Sequence, residues 1–250
     1  MRSLLILSAY CLFIVSSCSG PKLVNVSGRN NFVVDTSETK NELDAMITPY
    51  RDSMQSYMGE VIGRTDSTIE KFAPESPLGN LIADMVFDAG MKYAGEKDWS
   101  VHSGNTFCLL NFGGLRSEIN RGEITVGEVF ELMPFDNAMT IVRISTDSIA
   151  VFFRYLEGCQ GQPISNAEII LGVDADVLKI GGKHFNESAF VNIITSDYLA
   201  DGGDEMQFLA TPMKRWDSGI LIRDVIMDYI RKTENLEPPG ISGRMIILEE

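Results

Sequence analysis

The segment Glu75-Ser76-Pro77-Leu78-Gly79-Asn80-Leu81 constrains this chain more than any other. Proline fits a helix without cost only in the first turn, where no backbone N–H is missed, and Ser76 just before it supplies the side-chain oxygen that caps such a start. Beyond it Leu78, Leu81, Ile82, Met85, Val86 and Ala89 recur at i, i+3, i+4, i+7, i+8 and i+11. That is one apolar stripe, and it has to be covered by a sheet or by other helices.

Spacing elsewhere predicts the covering elements. Residues 37–57 form an amphipathic pattern that Pro49 should kink by removing a backbone donor. Residues 59–69 alternate enough for a strand, and Thr106-Phe107-Cys108-Leu109-Leu110 suits a buried one. Thr125-Val126-Gly127-Glu128 matches a capping box, so a short helix should run to Met133 and stop at Pro134. Strands are expected over 138–144, 167–171, 189–195 and 244–248, and helices over 146–156 and 219–232. The last helix carries the stripe Ile222, Val225, Ile226, Tyr229 and Ile230. Adjacent strands mixed with helix-linked ones point to a mixed, layered α/β arrangement of the α+β class rather than a regular doubly wound sheet.

The N-terminus sets the compartment. Arg2 is followed by an apolar run, Leu4 to Val15, too short to span a bilayer comfortably, and the run ends in Val15-Ser16-Ser17-Cys18. This is the pattern of an export signal, and small residues before a cysteine resemble the bacterial lipoprotein cleavage box. The expected organisation is a signal peptide over 1–17, lipidation at Cys18, a tether over 18–41 with one apolar patch at Phe32-Val33-Val34, and a folded domain over 42–250. The expected location is a membrane face outside the cytoplasm, periplasmic or cell-surface. With 21 Lys+Arg against 35 Asp+Glu, the formal net charge of −14 argues against a nucleic-acid partner. In an oxidising compartment Cys108 and Cys159 could pair, although their spacing alone does not establish the geometry.

Three segments carry chemical content. In Asn111-Phe112-Gly113-Gly114-Leu115-Arg116 two glycines after a strand permit a tight turn and close approach of a ligand to the backbone, and the arginine can fork onto a phosphate or carboxylate. Pro134-Phe135-Asp136-Asn137 sets an aromatic beside an amide, and Ser196 to Asp204 sets Tyr198 six positions before Asp204 across Gly202-Gly203. Each segment alone also reads as an ordinary turn. Combined, they describe a nucleotide site: Phe135 and Tyr198 sandwich a base, Asp204 accepts from ribose hydroxyls, Asn111 or Asn137 reads a polar edge, and Arg116 points to phosphate.

These segments, with Gly122-Glu123-Ile124-Thr125 between the first two and Glu75 to Asp84 ahead of them, resemble the C-terminal domain of the 5′-nucleotidase/UDP-sugar hydrolase family. The resemblance spans about residues 42–250, with the motifs in family order. It implies the layered sandwich of that domain and a nucleotide or nucleoside ligand. It also implies that Phe135 and Tyr198 stack on the base, that Asp204 binds ribose, and that Asn111, Gly113, Gly114 and Arg116 form the turn contacting substrate, the arginine near phosphate. Asn137 falls on a polar contact near base or sugar. Two positions depart from the pattern: Tyr198 stands where phenylalanine is usual, and Lys71 stands near where an arginine is usual, without its bidentate fork.

In the family, catalysis belongs to a separate N-terminal metallophosphatase domain whose two metals activate water. This chain has two isolated histidines, His102 in an expected strand and His184 after a Gly-Gly turn, and lacks Asp-x-His, Asn-His-Glu, a Gly-x-Ser-x-Gly elbow or a Walker loop. No cofactor is expected in this chain, divalent metals being expected only on a partner phosphatase. The leading expectation is therefore a lipid-anchored recognition half of a split 5′-nucleotidase, inactive alone. The alternatives are a nucleoside- or nucleotide-binding lipoprotein without a partner, and a structural module with a vestigial pocket.

Overall fold

A computed structural model describes residues 40–172, 176–185 and 189–248. The expected signal peptide, Cys18 and most of the tether lie outside the described residues. The chain divides into two units, Met1–Ile47 and Thr48–Glu250. Helix α1 (Lys40–Met58) crosses the boundary and includes Pro49 within its span, and the later elements all belong to the second unit.

After α1 come β1 (Val61–Thr65), α2 (Pro77–Glu96), β2 (Thr106–Leu109), β3 (Gly122–Thr125), α3 (Val126–Leu132), β4 (Ala138–Ser145) and α4 (Ile149–Cys159). They are followed by β5 (Ile164–Ser165), β6 (Ala167–Leu171), β7 (Val177–Ile180), β8 (Lys183–His184), β9 (Phe190–Ser196), α5 (Asp197–Ala200), β10 (Lys214–Leu221), α6 (Ile222–Thr233) and β11 (Met245–Ile247). The central sheet has five strands in the order β10-β4-β9-β2-β5, flanked by a four-stranded sheet β11-β6-β7-β8 and a ribbon β1-β3. Within the central sheet β2 and β9 are parallel and the other neighbours antiparallel. The α+β layering expected from the sequence is the observed one.

Alternation along the central strands builds a core on each face. On β2, Phe107 and Leu109 enter one cluster and Cys108 the other; on β4, Val142 and Ile144 enter the first and Met139 and Ile141 the second. The period of two is that of a strand buried on both sides. The second cluster is roofed by α2, α3 and α6, the first by α4, the four-stranded sheet and the turn carrying Phe208.

Helix α2 starts as its sequence predicts: Ser76 Oγ accepts from Gly79 N at 3.1 Å, with Pro77 in the first turn. Its burial is wider than one stripe, because Gly79, Asn80, Ala83, Gly90 and Ala94 are buried too. Glu75 explains part of this. Its carboxylate accepts from Asn80 Nδ2 at 2.7 Å and from the backbone N–H groups of Ser242 and Arg244 at 2.8 and 2.9 Å, and Arg244 clasps Asp84 with both guanidinium nitrogens. The C-terminal segment is thereby pinned to the start of α2.

The capping box also forms, with Glu128 N donating to Thr125 Oγ1 and Thr125 N donating to Glu128 Oε2. Several expectations need correction. Strand β10 runs to Leu221, so α6 begins three residues later than Gly219, where a positive φ of 70° and a bulge belong to the strand. On α6 the buried face includes Arg223 and Met227, while Tyr229 is exposed. His102 lies outside any strand, and His184 is on β8. The pairing of Cys108 and Cys159, which the spacing leaves open, is not made: both are free thiols.

Candidate functional site

The sheet topology brings the three chemical segments to one edge. Because β2 and β9 are parallel, with Cys108 opposite Ile194, their carboxyl ends lie together, and Asn111 follows β2 as Tyr198 follows β9. Strand β4 runs the other way, with Met139 opposite Ser196, so its start is at the same edge and Phe135 to Asn137 precede it. Asn111, Gly113, Gly114, Arg116, Phe135, Asn137, Tyr198 and Asp204 line one cavity of about 290 Å³. A second cavity of similar volume, between α2 and α6, contains none of these residues.

The Gly-Gly turn is close-packed on its own side chains. Asn111 is buried, and a Cβ on Gly114 would meet its Oδ1 at 2.8 Å, while one on Gly113 would meet Asp204 Oδ2 at 3.1 Å. Asn111 Nδ2 donates to Asp204 Oδ2, which joins this turn to the Asp204 loop. Gln162 holds the turn from below: its Oε1 accepts from Phe112 N at 2.8 Å and its Nε2 donates to Tyr155 Oη at 2.9 Å. Burial pushes the Tyr155 hydroxyl far above its ordinary range, so it stays protonated and neutral beneath the turn.

Arg116 is exposed, and its guanidinium donates back to Gly113 O at 3.3 Å. Lys71 is differently engaged. Its ammonium donates to Leu115 O at 2.7 Å, so it braces the turn before Arg116 and does not line the cavity.

The aromatics stand at the surface, Phe135 with 43% and Tyr198 with 46% of their area accessible. Two supports that local sequence does not advertise hold them. Arg223, 6% exposed, donates to Met133 O and Phe135 O, pairs with Asp136 and lies over the Phe130 ring at 4.1 Å. Asp197 Oδ1 accepts from Ala138 N at 3.1 Å and from Tyr198 N at 2.8 Å, tying the Phe135 segment to α5. The stretch after β9, readable as a plain loop, is thus a capped helical turn with Ser196 Oγ accepting from Leu199 N.

Chemically the cavity offers two apolar ring faces, one carboxylate, two amides and one guanidinium. A two-metal centre does not fit these residues: among the described residues no group of three or more His, Cys, Asp or Glu is placed to hold a metal ion.

The chain is 24% identical over 233 residues to the 5′-nucleotidase of Diplobatis ommata, covering 82% of this chain and 40% of that protein. It is 25% identical over 232 residues to the 5′-nucleotidase of Mus musculus, covering 81% and 39%. The fold superposes on the 5′-nucleotidase precursor from Thermus thermophilus with a TM-score of 0.67 at 22% identity, covering 83% of this chain and 43% of that one. It superposes on the Haemophilus influenzae NAD nucleotidase NadN with a TM-score of 0.60 at 13% identity, covering 82% and 41%. The chain therefore spans about two-fifths of the length of these relatives. Residues 59–211, from β1 to just past the Asp204 loop, match the family profile "5′-nucleotidase, C-terminal domain", and the chain belongs to that family.

Proposed function

We propose that this chain is the nucleotide-recognition part of a split 5′-nucleotidase, exported and held to a membrane face by lipid on Cys18, with catalysis supplied by a metallophosphatase made as another polypeptide. The observation that carries the reading is the convergence of two exposed aromatic faces, a carboxylate and a guanidinium on one cavity. Phe135 and Tyr198 hold the base, Asp204 and Asn111 meet the sugar, Asn137 reads a polar edge, and Arg116 turns from Gly113 O to a phosphate oxygen. The whole-protein activity named for the relatives belongs to chains about twice this length, and residues 1–17, 18–41 and 42–250 keep the roles of signal, tether and domain in this reading.

Magnitudes bound the affinity. One charge-assisted contact contributes about 1.5–3 kcal/mol and each stacked face about 1–3 kcal/mol, set against the cost of association, which leaves a Kd of order 0.1–1 mM for a mononucleotide. Calorimetry with AMP, adenosine and inorganic phosphate tests the reading: AMP is expected to bind more tightly than either fragment. Arg116→Ala should weaken AMP about tenfold and spare adenosine. Equal losses for both ligands would remove the phosphate role, and no heat at millimolar AMP would remove the recognition reading for the isolated chain. Co-purification of a metallophosphatase with the native protein separates the split enzyme from a binding lipoprotein that works alone.

A further inference from the structure

A ring that only stacks on a base has no use for a hydroxyl, yet the Tyr198 hydroxyl is fully engaged. It donates to Asp204 Oδ1 at 3.1 Å and accepts from Asp204 N at 3.2 Å, while Asn111 Nδ2 donates to Asp204 Oδ2. Both oxygens of an exposed carboxylate therefore have protein donors. The loop is built around this contact. Gly202, Asp204 and Glu205 take φ of 91°, 49° and 64°, a region that residues with a Cβ rarely adopt. Gly203 lets the phenol lie on the backbone, since a Cβ there would come within 2.4 Å of Tyr198 Cζ.

A carboxylate that recognises a sugar diol ordinarily rejects a deoxy sugar, because the missing hydroxyl leaves a desolvated oxygen without a donor. In this site the donor is already present. When a sugar lacks the hydroxyl that would meet Oδ1, the phenol keeps that oxygen satisfied, and Asn111 does the same for Oδ2. Resting on the nucleotide reading above, we propose that the Tyr198 hydroxyl is a built-in substitute for a ribose hydroxyl, so that this site takes deoxyribonucleosides and their phosphates about as well as the ribonucleoside forms. Tyr198 is then a specificity-determining residue, and its effect lies in the sugar rather than in the base.

The test measures binding of adenosine, 2′-deoxyadenosine and 3′-deoxyadenosine to the full chain and to Tyr198→Phe. In the native protein both deoxy forms should bind within about threefold of adenosine. In Tyr198→Phe at least one deoxy form should fall about tenfold or more behind adenosine, the ratio being read against adenosine in the same variant. Deoxy-to-ribo ratios unchanged by the substitution overturn the inference and leave the nucleotide reading standing. So does a native protein that already discriminates tenfold against both deoxy forms. Loss of adenosine binding in a variant with an unchanged melting temperature makes the hydroxyl a required contact rather than a substitute, and also overturns it. Failure of all three ligands to bind the native protein removes the nucleotide reading and this inference with it.

Discussion

Arg223→Met is the perturbation that most directly probes how the site is held together. Methionine keeps an apolar stem that reaches as far as the arginine Nε position and removes the guanidinium. The contact with Asp136 contributes little, about 0.5–1 kcal/mol, because that carboxylate is 77% exposed and rehydrates when its partner goes. The bonds to Met133 O and Phe135 O, at 3.3 and 3.4 Å, are long and together account for about 1 kcal/mol. The guanidinium over Phe130 at 4.1 Å adds about 1 kcal/mol. Against these stands a native cost, since Arg223 Nε is buried with no hydrogen-bond partner, and its removal returns about 1 kcal/mol. The expected net loss is about 2 kcal/mol, or roughly 4–8 °C in Tm for a domain of this size.

Stability alone does not separate a positioning residue from any other buried arginine, so the second readout is binding. Arg223 grips the carbonyl of Phe135 itself. Its loss should therefore let that segment sample other conformations and weaken adenosine about three- to tenfold through the ordering cost alone. Differential scanning fluorimetry and calorimetry on the same preparation measure both. A Tm within about 1 °C of native refutes the energetic argument. A lowered Tm with unchanged adenosine affinity refutes the positioning argument and leaves Arg223 as a structural residue only.

Glu75 supplies a pH prediction. Burial pushes its carboxyl pKa up, but donors from Ser242, Asn80, Met245 and Arg244 outweigh this and hold it below its ordinary 4.5. Stability from Glu75 is therefore fully present above the ordinary carboxylate range and is lost as pH falls through the lowered native value. Thermal melts from pH 7 to 3 should show a decline on the acid side that is shallower in Glu75→Gln. Gly90 supplies a packing prediction: a Cβ there would stand 2.8 Å from Ile194 Cγ2, so Gly90→Ala should cost about 1–3 kcal/mol by urea unfolding despite alanine's better helix propensity, and a stabilised variant would contradict the close approach of α2 to the sheet.

Elements whose signals are local are legible in the sequence. The cap and proline at 76–77 fix the start of α2, and the Thr125–Glu128 box fixes that of α3. Dense apolar runs mark β2, β4 and β9, which are buried on both faces. What escaped was polar or short. Strand β10 has one edge free, and its sequence Lys-Arg-Trp-Asp-Ser-Gly-Ile-Leu has no apolar alternation because Trp216 is the one residue of the strand that is buried. The β7–β8 hairpin did carry a usable signal, Gly181-Gly182, both with positive φ, between two short strands.

The site divides along the same line, for a topological reason. Side chains that line the cavity come from turns, and glycines, prolines and aromatics mark turns in the sequence; hence Gly113-Gly114, Pro134-Phe135 and Tyr198 to Asp204 can be read. The groups that hold them come from elements far along the chain. Arg223 reaches Phe135 across 88 positions and Asp197 reaches Ala138 across 59, and each looks like an ordinary surface charge in its own segment. Their roles exist only because β4 is antiparallel to both neighbours: β9, whose end sets Asp197 beside Ala138, and β10, whose last residue Leu221 stands opposite Ala138 and delivers Arg223 to Phe135. A change in that pairing would leave every turn intact in sequence and disperse the cavity.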